Sequence, residues 1–178
     1  MTLILRPPTV DDEPALRRLH VELAAEGFTF LLADGTWDEM LATFRREASG
    51  ADLPPGRVRA DFLVAEVDGV PVGRVSVRHA LNDYLREVGG HVGYAVGRDH
   101  RGRGYATEML RRSVERLAGL GVERVLVTCD DDNAASAAVI ERCGGVLDDV
   151  RVVGDGAPKR RYWIDTAHID TSSAAGRL

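Results

Sequence analysis

From Val92 to Leu110 the chain reads VGYAVGRDHRGRGYATEML, an apolar strand that runs through an Arg- and Gly-rich turn straight into an amphipathic helix. The first turn of any helix leaves backbone N–H groups without intrahelical partners, and the helix dipole adds partial positive charge at the same end. Arg98, Arg101 and Arg103 bring full charges to this turn, while Gly102 and Gly104 remove the Cβ atoms that would hold a ligand off the amides. The junction is an anion cradle, and the ligand it implies is phosphorylated. Beyond Ala106, the small or apolar residues Met109, Leu110, Ser113, Val114, Leu117 and Leu120 recur at helical spacing, and Gly121 supplies a stop. The cradle therefore sits at a helix N-terminus.

The spelling of the turn narrows the ligand. No GKS or GKT follows the glycines, so the mononucleotide P-loop fails at the lysine that would reach the phosphates. Gly102-Arg103-Gly104 after a strand approaches the dinucleotide fingerprint, but Thr107 stands where its third glycine should allow close helix packing. A nicotinamide-binding oxidoreductase stays open as an alternative. The stretch closely resembles the acetyl-coenzyme A loop of the GNAT superfamily of N-acetyltransferases, whose (Arg/Gln)-x-x-Gly-x-(Gly/Ala) pattern is matched by Arg101, Gly104 and Ala106.

The resemblance extends along the chain. Arg124 to Cys129 (RVLVTC) reads as the strand that follows the coenzyme helix in GNAT proteins, and Asn133 opens a second helix, AASAAVIERCGG. Upstream, Phe62–Val67 and Val70–His79 flank Asp68-Gly69, a hairpin turn signal. Thr2–Arg6 reads as a first strand, and Val146–Val153 with Arg160–Asp165 as a final pair. The resemblance implies an α/β (α+β) fold with a mixed, mainly antiparallel central sheet of about seven strands flanked by about four helices. One N-acetyltransferase domain is expected over residues 1–170, with a flexible tail over 171–178.

The same resemblance implies an acetyl-CoA-dependent N-acetyltransferase, in which a primary amine attacks the thioester directly with no metal and no covalent cofactor. Acetyl-CoA, as cosubstrate, would lie with its pantetheine along the main chain of Tyr94, Ala95 and Val96, and Gly93 suits an opening in that strand. Its phosphates would meet Arg101, Gly102, Arg103, Gly104, Tyr105 and Ala106, with Asn133 and Ser136 beside the coenzyme. Removing the ammonium proton calls for a base, and two residues near the start of the coenzyme strand are candidates. Glu87 lies in the right region, and His91 has the ordinary pKa better matched to neutral pH. One departure stands out: the position seven residues after Asn133, a tyrosine aimed at the thiolate in many GNAT proteins, is Ile140. Tyr105, Tyr84 or a water could substitute, or the thiolate could leave unassisted, since a thiol is a tolerable leaving group. A catalytically weak acyl-CoA sensor is therefore a second reading.

Composition excludes other classes. A formal net charge of −5 argues against nucleic acid as a partner, since such binding rests on neutralising phosphates. Cys129 and Cys143, the two cysteines, form no disulfide framework, and Cys129 reads as a core thiol. No apolar run suggests a signal peptide or a membrane span, so a cytoplasmic protein is expected, acting on a small-molecule or peptide amine. A homodimer remains open. His20 lies on the apolar stripe of a helix after Asp11-Asp12 and reads as structural, and the Trp37, Met40, Leu41, Phe44 stripe reads as packing. Two loops resist assignment: SGADLPPGRVRAD, which could cover a substrate entrance, and RHALNDYLREVGGH, which is either one wall of an amine pocket or a solvated turn.

Overall fold

A computed structural model describes residues 2–168. The tail expected over 171–178 lies outside the described residues.

The sheet grows from its central hairpin. Asp68 and Gly69 both have left-handed backbone, φ 50° and 81°, the two-residue turn whose twist matches that of antiparallel strands. It joins β2 (Ala60–Val67) to β3 (Val70–Arg78). β1 (Leu3–Arg6) pairs antiparallel with β2, and β4 (Val92–Val96) pairs antiparallel with β3. β5 (Arg124–Asp130) then joins β4 in parallel, followed by antiparallel β7 (Lys159–Asp165) and, at the edge, β6 (Val146–Arg151). The order is β1-β2-β3-β4-β5-β7-β6, a seven-stranded, mostly antiparallel sheet as expected. A parallel step cannot be closed by a hairpin, and here α3 (Tyr105–Gly119) makes the crossover.

Helices cover both faces. α1 (Glu13–Ala24) and α2 (Trp37–Ser49) pack Leu16, Leu23, Trp37 and Phe44 with Phe62 and Val64 of β2. α3 and α4 (Ala134–Arg142) bury Met109, Leu110, Leu117 and Ile140 against Val75, Val77 and Val127. α2 begins at Trp37 because Thr36 caps it: the Thr36 hydroxyl accepts from the Glu39 N–H, and the Glu39 carboxylate accepts from the Thr36 N–H at 2.8 Å. His20 is structural, its Nδ1 accepting from the Leu31 N–H at 3.3 Å. Between β3 and β4 the chain makes one wide helical turn, Leu85–Gly89, closed by the Gly90 N–H donating to Leu85 O.

Strand alternation gives β3 an unusual inner face. Val75 and Val77 enter the α3 side, so Arg74, Ser76 and Arg78 point toward α1 and α2. Arg74 and Ser76 are both 3% exposed. Buried polar side chains in a core strand carry more information than any of its valines.

Candidate active site

β4 and β5 are paired at a single position, Val92 with Val127. From Gly93 onward the two strands part, so the β5-facing edge of Tyr94 to Val96 has no strand partner while β3 continues to pair on the other side. His91 closes the vertex of this V. Its N–H donates to Leu126 O at 2.7 Å, and its ring Nδ1 accepts from the Leu126 N–H at 2.9 Å, so the imidazole stands in for a main-chain carbonyl in the parallel ladder.

The opening widens into a cleft of about 780 Å³ between β4, β5 and the N-termini of α3 and α4. Tyr94, Ala95, Val96, Arg101, Gly102, Gly104, Tyr105, Ala106, Asn133 and Ser136 all line it, so ten of the sequence-derived coenzyme residues converge on one surface. At the cradle, Gly102 and Gly104 have φ of 74° and 80°. A Cβ on either would meet no protein atom within 4 Å. Glycine is needed there for the backbone conformation, and the empty space above it is where a phosphate could approach. Among the described residues the N–H groups of Gly102, Arg103, Gly104 and Ala106 have no protein acceptor, as the start of α3 requires. Asn133 caps α4, its Oδ1 accepting from the Ser136 N–H at 2.9 Å.

The arginines are placed less simply than the sequence suggests. Arg101 directs Nη1 and Nη2 to the Glu26 carboxylate, at 3.2 and 2.6 Å, and Arg98 Nε reaches the same group at 2.6 Å. Arg101 and Arg98 together hold the Glu26 carboxyl down at about 2. Arg103, which is not among the cleft-lining residues, donates to Asp99 O at 3.0 Å. Thus a carboxylate from the end of α1, 75 residues away in sequence, already sits on the cation expected to meet phosphate.

The two residues considered for proton removal lie elsewhere. His91 is 5% exposed and does not line the cleft. Burial, with the nearby cations of Arg86 and Arg78, pushes its pKa down to about 4, which corrects the expectation of a value near neutrality. The Nδ1 lone pair is already used by Leu126. Glu87 sits on the wide turn before β4, also outside the cleft, with its carboxylate paired to Arg151 Nη1. Ile140 is fully buried and offers no acid. Tyr94 does more than present main-chain groups: its hydroxyl lies 3.5 Å from Ser136 O at the start of α4, and burial pushes its pKa up to about 12. Cys129 also reaches the cleft, but burial raises its pKa and keeps it a thiol. Among the described residues no cluster of three or more His, Cys, Asp or Glu could hold a metal ion, and no helix is long and apolar enough to cross a membrane.

The chain that builds this cleft is similar to known proteins in sequence and in fold. A sequence model of the acetyltransferase (GNAT) domain matches residues 2–146. An acetyltransferase of Yersinia pestis is 30% identical over 93 residues, which cover 52% of this chain and 62% of that protein, less than two thirds of its length. Among solved structures, Mycobacterium smegmatis RimJ in complex with CoA-disulfide superposes with a TM-score of 0.68 at 23% identity, covering 98% of this chain and 90% of that one. Salmonella typhimurium yncA with acetyl-CoA gives 0.64 at 19% identity, covering 96% and 97%. With a family model spanning most of its length and this fold around the cleft, the chain belongs to the GNAT acetyltransferase family.

Proposed function

We propose that the protein transfers an acetyl group from acetyl-CoA to a primary amine by direct attack. The observation that carries this reading is the parting of β4 from β5 at Gly93, which leaves one strand edge open beside a phosphate cradle at the start of α3. Acetyl-CoA would place its pyrophosphate on the amides of Gly102 to Ala106, its pantetheine along Tyr94 to Val96, and its thioester near Gly93. The amine nitrogen bonds to the acetyl carbon, the carbon–sulfur bond breaks, and coenzyme A leaves as thiolate.

The proton of the acceptor ammonium goes to water in this reading. His91 holds the vertex of the V, and Glu87 is engaged with Arg151 outside the cleft. The guanidinium of Arg74 helps, because it comes close to Gly93, where a Cβ would lie 3.7 Å from its Nη1, and its partners are neutral carbonyls. A cation beside the reacting amine disfavours its protonated form. The Tyr94 hydroxyl, kept protonated at the cleft wall, would donate a hydrogen bond to the departing sulfur; with its high pKa it would stabilise the thiolate without transferring a proton outright. The acceptor is a small-molecule or peptide amine, and a cytoplasmic location belongs to the same reading.

Calorimetry with acetyl-CoA, followed by thiol release across a panel of amines, tests this. Wild type should bind and turn over, and Gly104→Val should lose binding because valine resists a φ of 80° and projects into the cradle. A folded Gly104→Val variant with wild-type affinity would defeat the cradle. Glu87→Gln should retain turnover, and loss of the acidic limb of its rate profile would return proton removal to that turn.

A further inference from the structure

The two loops that resisted assignment from sequence meet. Gly56, Arg57 and Val58 of one, and Asn82, Tyr84 and Leu85 of the other, line a second cavity of about 180 Å³ on the α2 side of the sheet. Asn82 ties them together: its Nδ2 donates to Gly56 O at 2.7 Å while its Oδ1 accepts from the Leu85 N–H at 2.8 Å. The floor is the polar face of β3, Ser76 and Arg78, with Glu47 of α2 at one side.

The charges around this cavity do not cancel. Arg57 Nη2 pairs with Glu47 at 2.7 Å. Arg78 has no carboxylate partner among the described residues. Its Nη1 donates to Gly89 O and Gly90 O at 3.0 and 3.3 Å, and among the described residues its Nε and Nη2 have no acceptor. Arg74, behind it, is also without a carboxylate, but all three of its nitrogens donate to the carbonyls of Phe30, Gly93 and Thr29. The two guanidiniums therefore differ. Arg74 is a finished structural element, whereas Arg78 keeps donors to spare and faces a cavity. Arg78 is only partly buried, and its open donors are not enclosed by protein, so an anion entering the cavity can reach them. Arg78 also joins the two cavities, since its Nη1 lies 3.6 Å from the Cβ position of Gly93, which lines the coenzyme cleft.

Resting on the acetyl-transfer reading, we propose that this second cavity is the acceptor subsite and that the acceptor is a small amine bearing a carboxylate, as in a free amino acid. The carboxylate takes the open Nε and Nη2 donors of Arg78, a bidentate geometry that guanidinium favours. The amine then projects past Gly93 toward the thioester. A volume of about 180 Å³ suits an acceptor of a few carbons, with Ser76 and Asn82 supplying polar contacts. The net charge of −5 is no obstacle, because recognition is set by the open donors of Arg78 in the cavity and not by the surface total.

The test uses the intact protein and matched acceptors. Thiol release is followed with acetyl-CoA and pairs such as glycine and glycinamide, or β-alanine and β-alaninamide, with rates compared per unprotonated amine. The acids should exceed their amides in kcat/KM by at least tenfold, mainly through KM. Aminoalkyl phosphonates of equal length report whether another oxyanion serves; equal or better rates with them would replace carboxylate by phosphonate-type anions as the ligand. Arg78→Gln should abolish the preference while acetyl-CoA affinity stays near wild type, and Arg78→Lys should restore part of it. Should these variants not fold, the acid–amide comparison on wild type decides alone. Amides and plain alkylamines turned over as well as acids would overturn the carboxylate subsite and leave acetyl transfer standing. Absence of thiol release with every amine would overturn both, and tight acetyl-CoA binding without turnover would then favour the sensor reading.

Discussion

Replacing His91 by Asn removes a titrating ring but keeps an acceptor near the position of Nδ1 for the Leu126 N–H. In the folded protein the ring is buried, accepts that bond and has a pKa of about 4, against 6.5 when unfolded. A depressed histidine pKa means that the unfolded state binds the proton more readily. Its contribution to stability is therefore whole above pH 6.5 and is lost as the pH falls toward 4. At a pH near 4.5, well below the unfolded value and close to the folded one, the loss is about 2–3 kcal/mol. Urea unfolding of wild type and His91→Asn at pH values near 7.5 and 4.5 measures it. The other ionisable groups titrate in both proteins and cancel in the difference. Wild type should lose about 2–3 kcal/mol more than the variant over this interval. Equal pH dependence would refute the argument and mean that burial does not hold the ring neutral. The same variant should keep its turnover near neutral pH, since the ring serves the vertex of the V and not the proton path.

Glu26→Gln should bind acetyl-CoA a few-fold more tightly than wild type at low salt, because the carboxylate that occupies Arg101 and Arg98 no longer competes with phosphate; an unchanged or weaker affinity by calorimetry would show that the ion pair positions the arginines. Tyr94→Phe should lower kcat with little change in acetyl-CoA affinity, and an unchanged kcat would remove the hydroxyl from thiolate stabilisation. Ile140→Ala should cost about 2–5 kcal/mol in chemical denaturation, as expected for a fully buried residue packed between α4 and the sheet, while leaving the pH–rate profile alone.

What could be read from the chain alone was local. The Asp68-Gly69 turn, the apolar stripe of α3, the Asn133 cap and the glycines of the cradle each depend on neighbours within a few residues, and short-range chemistry specifies them. The GNAT spelling of Arg101, Gly104 and Ala106 follows from the same fact, because a cradle made of consecutive amides must be written in consecutive residues. The rest was decided by contacts across long separations. His91 looked like a base until Leu126, 35 residues on, took its lone pair and the surrounding core drove its pKa down. Arg101 looked like a free cation until Glu26 came to it from the end of α1. Arg74 and Arg78 passed as ordinary residues of a hairpin strand, since nothing in the order of amino acids says which face of β3 will be covered by α1 and α2. Only the packing of those helices made Arg74 a buried cation finished by carbonyls and left Arg78, partly buried, open to a cavity.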